Sequence, residues 1–391
     1  MPGFEFINKK ELDEIKDIFK NGGVLFRHGF EKLRNNTYKV SQFEKNFTKK
    51  FSSNYSLAVT SGTAALRVAL ASLDLSKDDE IITQSFTFVA TVEAIIESSA
   101  IPVCTEIDET LNMDPDDLIK KISKKTKAVI VVHMLGVPAN LDKIKRICKK
   151  KKIFLIEDTA WGIGGKYKNN YLGTIGDMGT FSFDYAKSIT TGEGGMVTFK
   201  NKKHYLKAKA WHDHGHENNP NVPRWEDTRS TSGFNYRMTE LQGAVGIIQL
   251  KKLNRVINLQ RKNAHLIWNK LKNFSDIKLR NFPKDSYVTY DSLVLVMKNS
   301  KLAKKFRYNL VKNGLNTKIL PEAMTWHFAK FWTHMKKLSI AHNNGLNKSF
   351  PKSEKLLNKC VSIPINCMMN KNIPNIVKKS LIETLSLKII K

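Results

Sequence analysis

The chain is short of cysteine, of long apolar runs and of arginine. Its four cysteines, Cys104, Cys148, Cys360 and Cys367, are scattered over 391 residues and contain no Cys-x-x-Cys. That excludes a disulfide-stapled scaffold and suggests neither a zinc site nor a redox pair, so no metal is expected. The longest aliphatic stretches, such as residues 128–132, fall far short of the roughly 20 apolar residues that span a bilayer, and no membrane insertion is expected. Residues 1–19 carry Glu5, Glu11, Asp13 and Glu14 among their apolar side chains. This is not the pattern of a secretion signal, and a cytoplasmic location is expected.

Lys and Arg number 65 against 36 Asp and Glu, a formal charge of +29. Such a balance raises the question of nucleic acid or an anionic membrane. Only 11 of the 65 are Arg, the residue best suited to forked contacts with phosphates and base edges, and the Lys residues run along the whole chain. The charge therefore reads as a solvated surface with no nucleic-acid partner, compatible with small anionic substrates. A regulatory nucleic-acid-binding protein is the competing reading.

The remaining composition, 41% hydrophobic and 26% charged, is that of a globular protein. A chain this long exceeds one ordinary core and implies two domains, placed at 1–250 and 251–391. From about residue 55 to 200, apolar runs at 56–60, 80–83, 101–106, 128–133 and 153–157 alternate with helix-like segments, the rhythm of βαβ units around a mostly parallel sheet. Residues 141–152 are one such crossover helix. Two further strands, at 179–183 and 195–199, flank a polar, Gly-rich loop. Residues 204–236 read as a long polar connection, longer than an idle one usually is. A helix over 238–271, with Leu241, Val245, Ile248 or Gln249, Lys252 and Val256 on one face, leads into a smaller α+β domain. There, strands are expected at 288–296 and 315–320 and a helix at 302–312.

Three local patterns carry chemistry. Thr60-Ser61-Gly62-Thr63 follows a strand and opens an apolar helix, where free N–H groups and the helix dipole favour an anion and Gly62 allows close approach. An ordinary Ser/Thr helix cap fits the same residues. Glu157-Asp158 ends a buried strand, where ligands of open α/β sheets bind. A carboxylate there needs a cationic partner unless it merely caps a helix. Lys187 lies between two strands in a run of hydroxyl and glycine residues. Lost solvation lowers an amine's pKa and makes it a nucleophile able to form a Schiff base. Anion cradle, strand-end acid and buried amine are together the parts that pyridoxal 5'-phosphate requires.

At these residues the sequence resembles the DegT/DnrJ/EryC1/StrS family of sugar aminotransferases, through stretches 60–65, 84–91, 133–138, 156–164, 181–196 and 233–250. The resemblance implies fold type I of the pyridoxal phosphate-dependent transferases, like aspartate aminotransferase, with the cofactor in the 1–250 domain. It further implies that Lys187 condenses with the cofactor aldehyde, Asp158 pairs with the ring nitrogen and Phe88 stacks on the ring. Gly62, Thr63 and Ser182 hold the phosphate, and Arg237 arrives at the phosphate from the neighbouring protomer of a homodimer with shared sites. Trp161 stands beside the ring where the family commonly has Gln or His, and Arg237 stands where some members have Asn.

Some members replace the lysine by His and dehydrate their substrate, so Lys187 implies transamination from an amino donor, L-glutamate, to a keto or aldehyde sugar. Asp184, Tyr185, Trp161, the His-rich segment 212–218 and residues 326–328 are similar to a subgroup that aminates carbon 8 of an oxidised 3-deoxy-manno-octulosonate in lipopolysaccharide or surface-glycan biosynthesis. The alternative acceptor is a keto nucleotide-sugar. His212, His327 and Lys318 are the expected substrate contacts.

Overall fold

The computed structural model describes residues 3–219, 221–343 and 345–386. In chain order the strands are β1 (Tyr55–Val59), β2 (Glu80–Gln84), β3 (Ile101–Thr105), β4 (Thr126–Val132), β5 (Phe154–Asp158), β6 (Lys166–Tyr167), β7 (Asn170–Tyr171), β8 (Met178–Ser182), β9 (Gly195–Phe199), β10 (Ile277–Leu279), β11 (Ser286–Tyr287), β12 (Ser292–Met297) and β13 (Cys360–Pro364). The helices are α1 (Lys9–Lys20), α2 (Lys39–Phe51), α3 (Gly62–Ala71), α4 (Val89–Glu97), α5 (Pro115–Lys121), α6 (Leu141–Lys151), α7 (Lys202–Trp211), α8 (Glu240–Leu271), α9 (Ser300–Lys312), α10 (Met324–His327), α11 (Lys336–Ala341), α12 (Pro351–Leu357) and α13 (Ile373–Leu385).

Seven strands form the large sheet in the order β1-β9-β8-β5-β4-β2-β3. β9 pairs antiparallel with both β1 and β8, while β8, β5, β4, β2 and β3 pair in parallel. Only β9 therefore runs against the common direction, and the mostly parallel α/β fold of type I is the one observed. Strands such as β4 and β5 read as near-continuous apolar runs because helices cover both faces. On one face α3 and α4 bury Leu66, Leu70, Ala94 and Ile95 against Leu57, Ile81, Ile130 and Phe199. On the other, Phe43, Phe47 and Phe51 of α2 meet Phe181, Phe183 and helix α8. Phe47 and Phe51 stack at 4.3 Å, and Phe181 meets Phe47 edge-on at 5.0 Å. Each ring so buried contributes about 1.5–3 kcal/mol.

α8 is 32 residues long. It starts at Glu240 because Thr239 caps it, with Gln242 returning a bond to the Thr239 N–H. Its buried face agrees with the expected one in part: Ile248, Gln249 and Val256 are buried, Leu241, Val245 and Lys252 are half-buried, and Gly243, Ala244, Gly246, Ile247 and Leu250 are buried as well. A Cβ on Gly246 would stand 2.7 Å from the Phe43 ring, so α8 and α2 approach through glycine.

A three-stranded antiparallel sheet, β10-β12-β13, follows α8, and β11-β6-β7 form a small third sheet. Three expectations fail locally. Residues 204–236 are not all connection, since α7 occupies the first part. The strand expected at 288–296 begins only at Ser292, because Tyr290 sits at φ 56° and breaks the extended run. No strand forms at 315–320, where Ile319 at φ 68° interrupts pairing, although Lys318 and Leu320 still bond to Ser362 of β13. No helix among the described residues is long and apolar enough to cross a membrane.

Candidate active site

The carboxyl ends of β5 and β8, the start of α3 and the loop after residue 315 enclose a cavity of about 890 Å³. Gly62, Thr63, Phe88, Asp158, Trp161, Ser182, Lys187, Lys318 and His327 all line it. The sequence thus places nine of its expected site residues around one space.

One end of the cavity is the N-terminus of α3. Ser61 caps it by accepting the Ala64 N–H at 3.0 Å, and the first intrahelical bond runs from Ala65 N–H to the Ser61 carbonyl. Gly62 and Thr63 precede that bond, so their N–H groups belong to the orphan first turn that favours an anion. Ser182, ending β8, closes against Gly62: a Cβ on Gly62 would lie 2.7 Å from the Ser182 Cβ. The segment that caps the helix is thus the one expected to cradle an anion.

Asp158 ends β5. Its carboxylate accepts Thr91 Oγ1–H at 3.1 Å and the Ala160 N–H at 3.1 Å. Burial pushes its pKa above the usual carboxylate value, with these donors and nearby Lys187 pulling the other way. A cation placed against it would restore the charged form. Glu157 serves the opposite side of the strand. It pairs with His133 Nε2 at 2.9 Å and accepts N–H groups of Gly173, Ile175 and Gly176. His133 Nδ1 accepts the Ala139 N–H, which puts the proton on Nε2 toward Glu157. Burial raises the Glu157 pKa, but His133 and the three N–H groups outweigh it. Glu157 is therefore a structural acid outside the cavity.

Lys187 sits in the loop joining β8 to β9 and is 9% exposed. The turn that presents it is closed by Lys187 N–H to the Asp184 carbonyl and Ala186 N–H to Asp184 Oδ1. Gly3 N–H donates to the Lys187 carbonyl at 2.9 Å, and Phe4 lines the cavity. Lys187 Nζ lies 3.2 Å from the Trp161 ring centroid. Burial brings its pKa down to about 8; Lys318 acts in the same direction, while Asp291, Asp184 and Asp158 oppose.

Aromatic rings form a further wall. Phe88 and Trp326 lie parallel with centroids 6.4 Å apart, and His327 is 5.3 Å from Phe88. His327 Nδ1 donates to the Ala323 carbonyl at 2.8 Å, and burial lowers its pKa to about 4, so it is neutral near pH 7. Lys318 pairs with buried Asp291 at 2.8 Å.

Two expected residues lie elsewhere. His212 is fully buried, donates from Nδ1 to the Lys209 carbonyl and receives Arg27 at 3.3 Å. It does not line the cavity, and its expected substrate contact is corrected to a packing role. Arg237 does not line this chain's cavity either. It joins Arg224 and His28 around Asp213, a fully buried carboxylate. Conversely, Thr91 and Asp291 contribute without having been singled out. Thr91 had no local signal. Asp291 lies inside the strand expected at 288–296, so its place just ahead of β12 was not visible in the sequence.

The sequence model of the DegT/DnrJ/EryC1/StrS aminotransferase family matches residues 27–381. A GDP-perosamine synthase of Escherichia coli O157:H7 is 34% identical over 280 residues, 71% of this chain and 75% of that protein. A GDP-4-keto-6-deoxy-D-mannose 3-dehydratase of Escherichia coli O55:H7 is 30% identical over 331 residues, 80% of this chain and 84% of the other. A solved GDP-4-keto-6-deoxymannose-3-dehydratase with a trapped PLP-glutamate geminal diamine superposes with a TM-score of 0.83 at 25% identity, covering 96% of this chain and 98% of that one. With the family pattern running from ahead of α2 into α13, and the buried lysine sharing its cavity with a strand-end acid, the chain belongs to the DegT/DnrJ/EryC1/StrS aminotransferase family.

Proposed function

We propose that this protein is a pyridoxal phosphate-dependent aminotransferase that moves an amino group from L-glutamate to a keto nucleotide-sugar. The observation that carries the reading is Lys187, buried and partly deprotonated, sharing one cavity with Asp158 and the α3 N-terminus. The residues present fit the cofactor. Gly62 leaves a cradle that a Cβ would fill, and Asp158 is a buried acid without a cationic side chain bonded to it.

Gly62, Thr63 and Ser182 would hold the phosphate, Asp158 the protonated ring nitrogen, and Phe88 and Trp161 the ring. When bound, pyridoxal phosphate supplies an aldehyde for the amine and a ring that withdraws electrons from the substrate carbon. Lys187 Nζ, neutral in a growing fraction above pH 8, removes the proton from that carbon and returns it. Asp158 keeps a proton at the ring nitrogen, and Thr91 and Ala160 hold its carboxylate in place. Neutral His327 offers Nε2 as an acceptor to substrate hydroxyls. In a homodimer, Arg237, here paired with Asp213, would be the residue to hold the phosphate bound by the neighbouring chain.

Retention of Lys187 supports amination over the dehydration that related 3-dehydratases are named for. The acceptor moves from the octulosonate to a nucleotide-sugar because the named relatives work on GDP-linked sugars. Borohydride trapping followed by peptide mass spectrometry tests the first part, with the pyridoxyl label expected on Lys187. Glutamate-dependent turnover of GDP-4-keto-6-deoxy-D-mannose, compared with 8-oxo-3-deoxy-manno-octulosonate, tests the acceptor. Label on another side chain, or turnover of neither sugar, would overturn the reading.

A further inference from the structure

Lys187 and Lys318 are the two lysines among the described residues lining the cavity, and no arginine lines it. Lys187 has its own chemistry, which leaves Lys318 as the fixed cation. Its position is set from three sides. The Lys318 N–H donates to the Ser362 carbonyl at 2.9 Å, and its own carbonyl accepts from Ser362 Oγ and from the Leu320 N–H. Its Nζ is tied to Asp291, which is 2% exposed and sits at the start of β12. An ammonium has three N–H donors. Nζ lies 2.8 Å from both Asp291 oxygens and donates to Oδ1, which leaves at least one N–H for another acceptor.

The same Nζ lies 4.8 Å from the Trp161 ring centroid, the ring that also carries Lys187 Nζ at 3.2 Å. The two amines thus flank one indole, and a group held by Lys318 would sit within reach of a carbon reacting at Lys187. The acids lining the cavity, Asp158, Asp184, Glu193 and Glu322, would repel an anion elsewhere. Glu322 is already engaged by Arg307 and Thr317. A carboxylate entering this space without a cationic partner would be costly, and Lys318 is the partner available.

We propose that Lys318, oriented by Asp291, anchors a carboxylate of the ligand that reacts at Lys187. This rests on the aminotransferase reading of the same site and deepens it. The carboxylate has two possible sources, the amino-acid donor or a sugar acid acting as acceptor, and the test separates them.

Holoenzyme of the wild type, Lys318→Met, Lys318→Arg and Asp291→Asn is titrated by calorimetry with three unreactive probes: glutarate, 3-deoxy-manno-octulosonate and the uncharged diamide of glutarate. Lys318→Met is expected to weaken one carboxylate probe by roughly tenfold or more, the scale of one lost charge-assisted bond, and to leave the diamide unchanged. Lys318→Arg restores most of the loss. Asp291→Asn, which frees the ammonium from its orientation, weakens the same probe by a smaller factor. Loss confined to glutarate assigns the donor; loss confined to the sugar acid assigns the acceptor and revives the octulosonate as substrate. Both carboxylates binding Lys318→Met, or Asp291→Asn should the first not fold, within twofold of wild type would overturn the proposal. So would wild-type holoenzyme that binds neither. Failure of the aminotransferase reading looks different: the wild type takes up no pyridoxal phosphate and Lys187 carries no label.

Discussion

Gly62 and Ser182 meet with no room between them: a Cβ on Gly62 would lie 2.7 Å from the Ser182 Cβ and 3.0 Å from its Oγ. The two residues belong to different elements, the first turn of α3 and the end of β8, and neither can retreat without moving its helix or strand. Gly62→Ala must therefore widen the cradle. Overpacking of this kind costs about 1–3 kcal/mol. Fluorescence titration of the apoprotein should show pyridoxal phosphate binding weakened by roughly tenfold or more. An alanine variant with wild-type affinity would move the phosphate away from α3.

The lowered pKa of Lys187 gives a pH dependence with a defined sign. Below about 8 the amine is increasingly protonated and cannot attack an aldehyde; above it the neutral form dominates. The rate at which apoprotein takes up pyridoxal phosphate, followed by the visible absorbance of the product, should rise up to a plateau just above pH 8. Below the plateau it should fall roughly tenfold per pH unit. A rate still climbing at pH 10 would mean that Lys187 is an ordinary solvated lysine.

Thr91 supplies one of the two hydrogen bonds that Asp158 receives. Thr91→Val removes it while keeping the shape of the side chain. Asp158, already raised by burial, should move further toward its protonated form. Denaturant unfolding should show a loss of about 1–3 kcal/mol at neutral pH, and the bound cofactor should be held less tightly.

His342 and His327 give an acid-side signature. Cys104 N–H donates to His342 Nε2 at 3.1 Å, and burial holds both imidazoles down to about 4. The unfolded chain binds protons at these histidines below about pH 6.5, whereas the folded chain does not until about 4. Stability should therefore be greatest above pH 6.5 and fall as pH drops toward 4, by up to about 1.4 kcal/mol per unit for each group. His342→Gln should flatten the urea midpoint against pH between 6.5 and 4; an unchanged slope would remove His342 from the account.

Much of this was legible in the sequence for a physical reason. Buried parallel strands leave continuous apolar runs, so β2 to β5 could be read directly, and Lys187 stood out by its setting between the apolar strands β8 and β9, which pair antiparallel. What escaped depends on contacts between distant residues. The direction of β9 is decided by its partners β1 and β8, not by its own residues. Tyr290 and Ile319 adopt left-handed backbone that no local pattern announced; the first delays a strand expected from its apolar neighbours and the second prevents one. His212 looked like a loop residue poised for substrate, yet the packing of α7 and Arg27 encloses it. Asp291 reaches Lys318 across 27 positions of sequence, a pairing that only the fold creates.

The bond from Gly3 N–H to the Lys187 carbonyl has a practical side for anyone substituting residue 3. A side chain at Gly3 would press on the peptide that carries Lys187, because a Cβ there would come within 2.6 Å of that carbonyl oxygen.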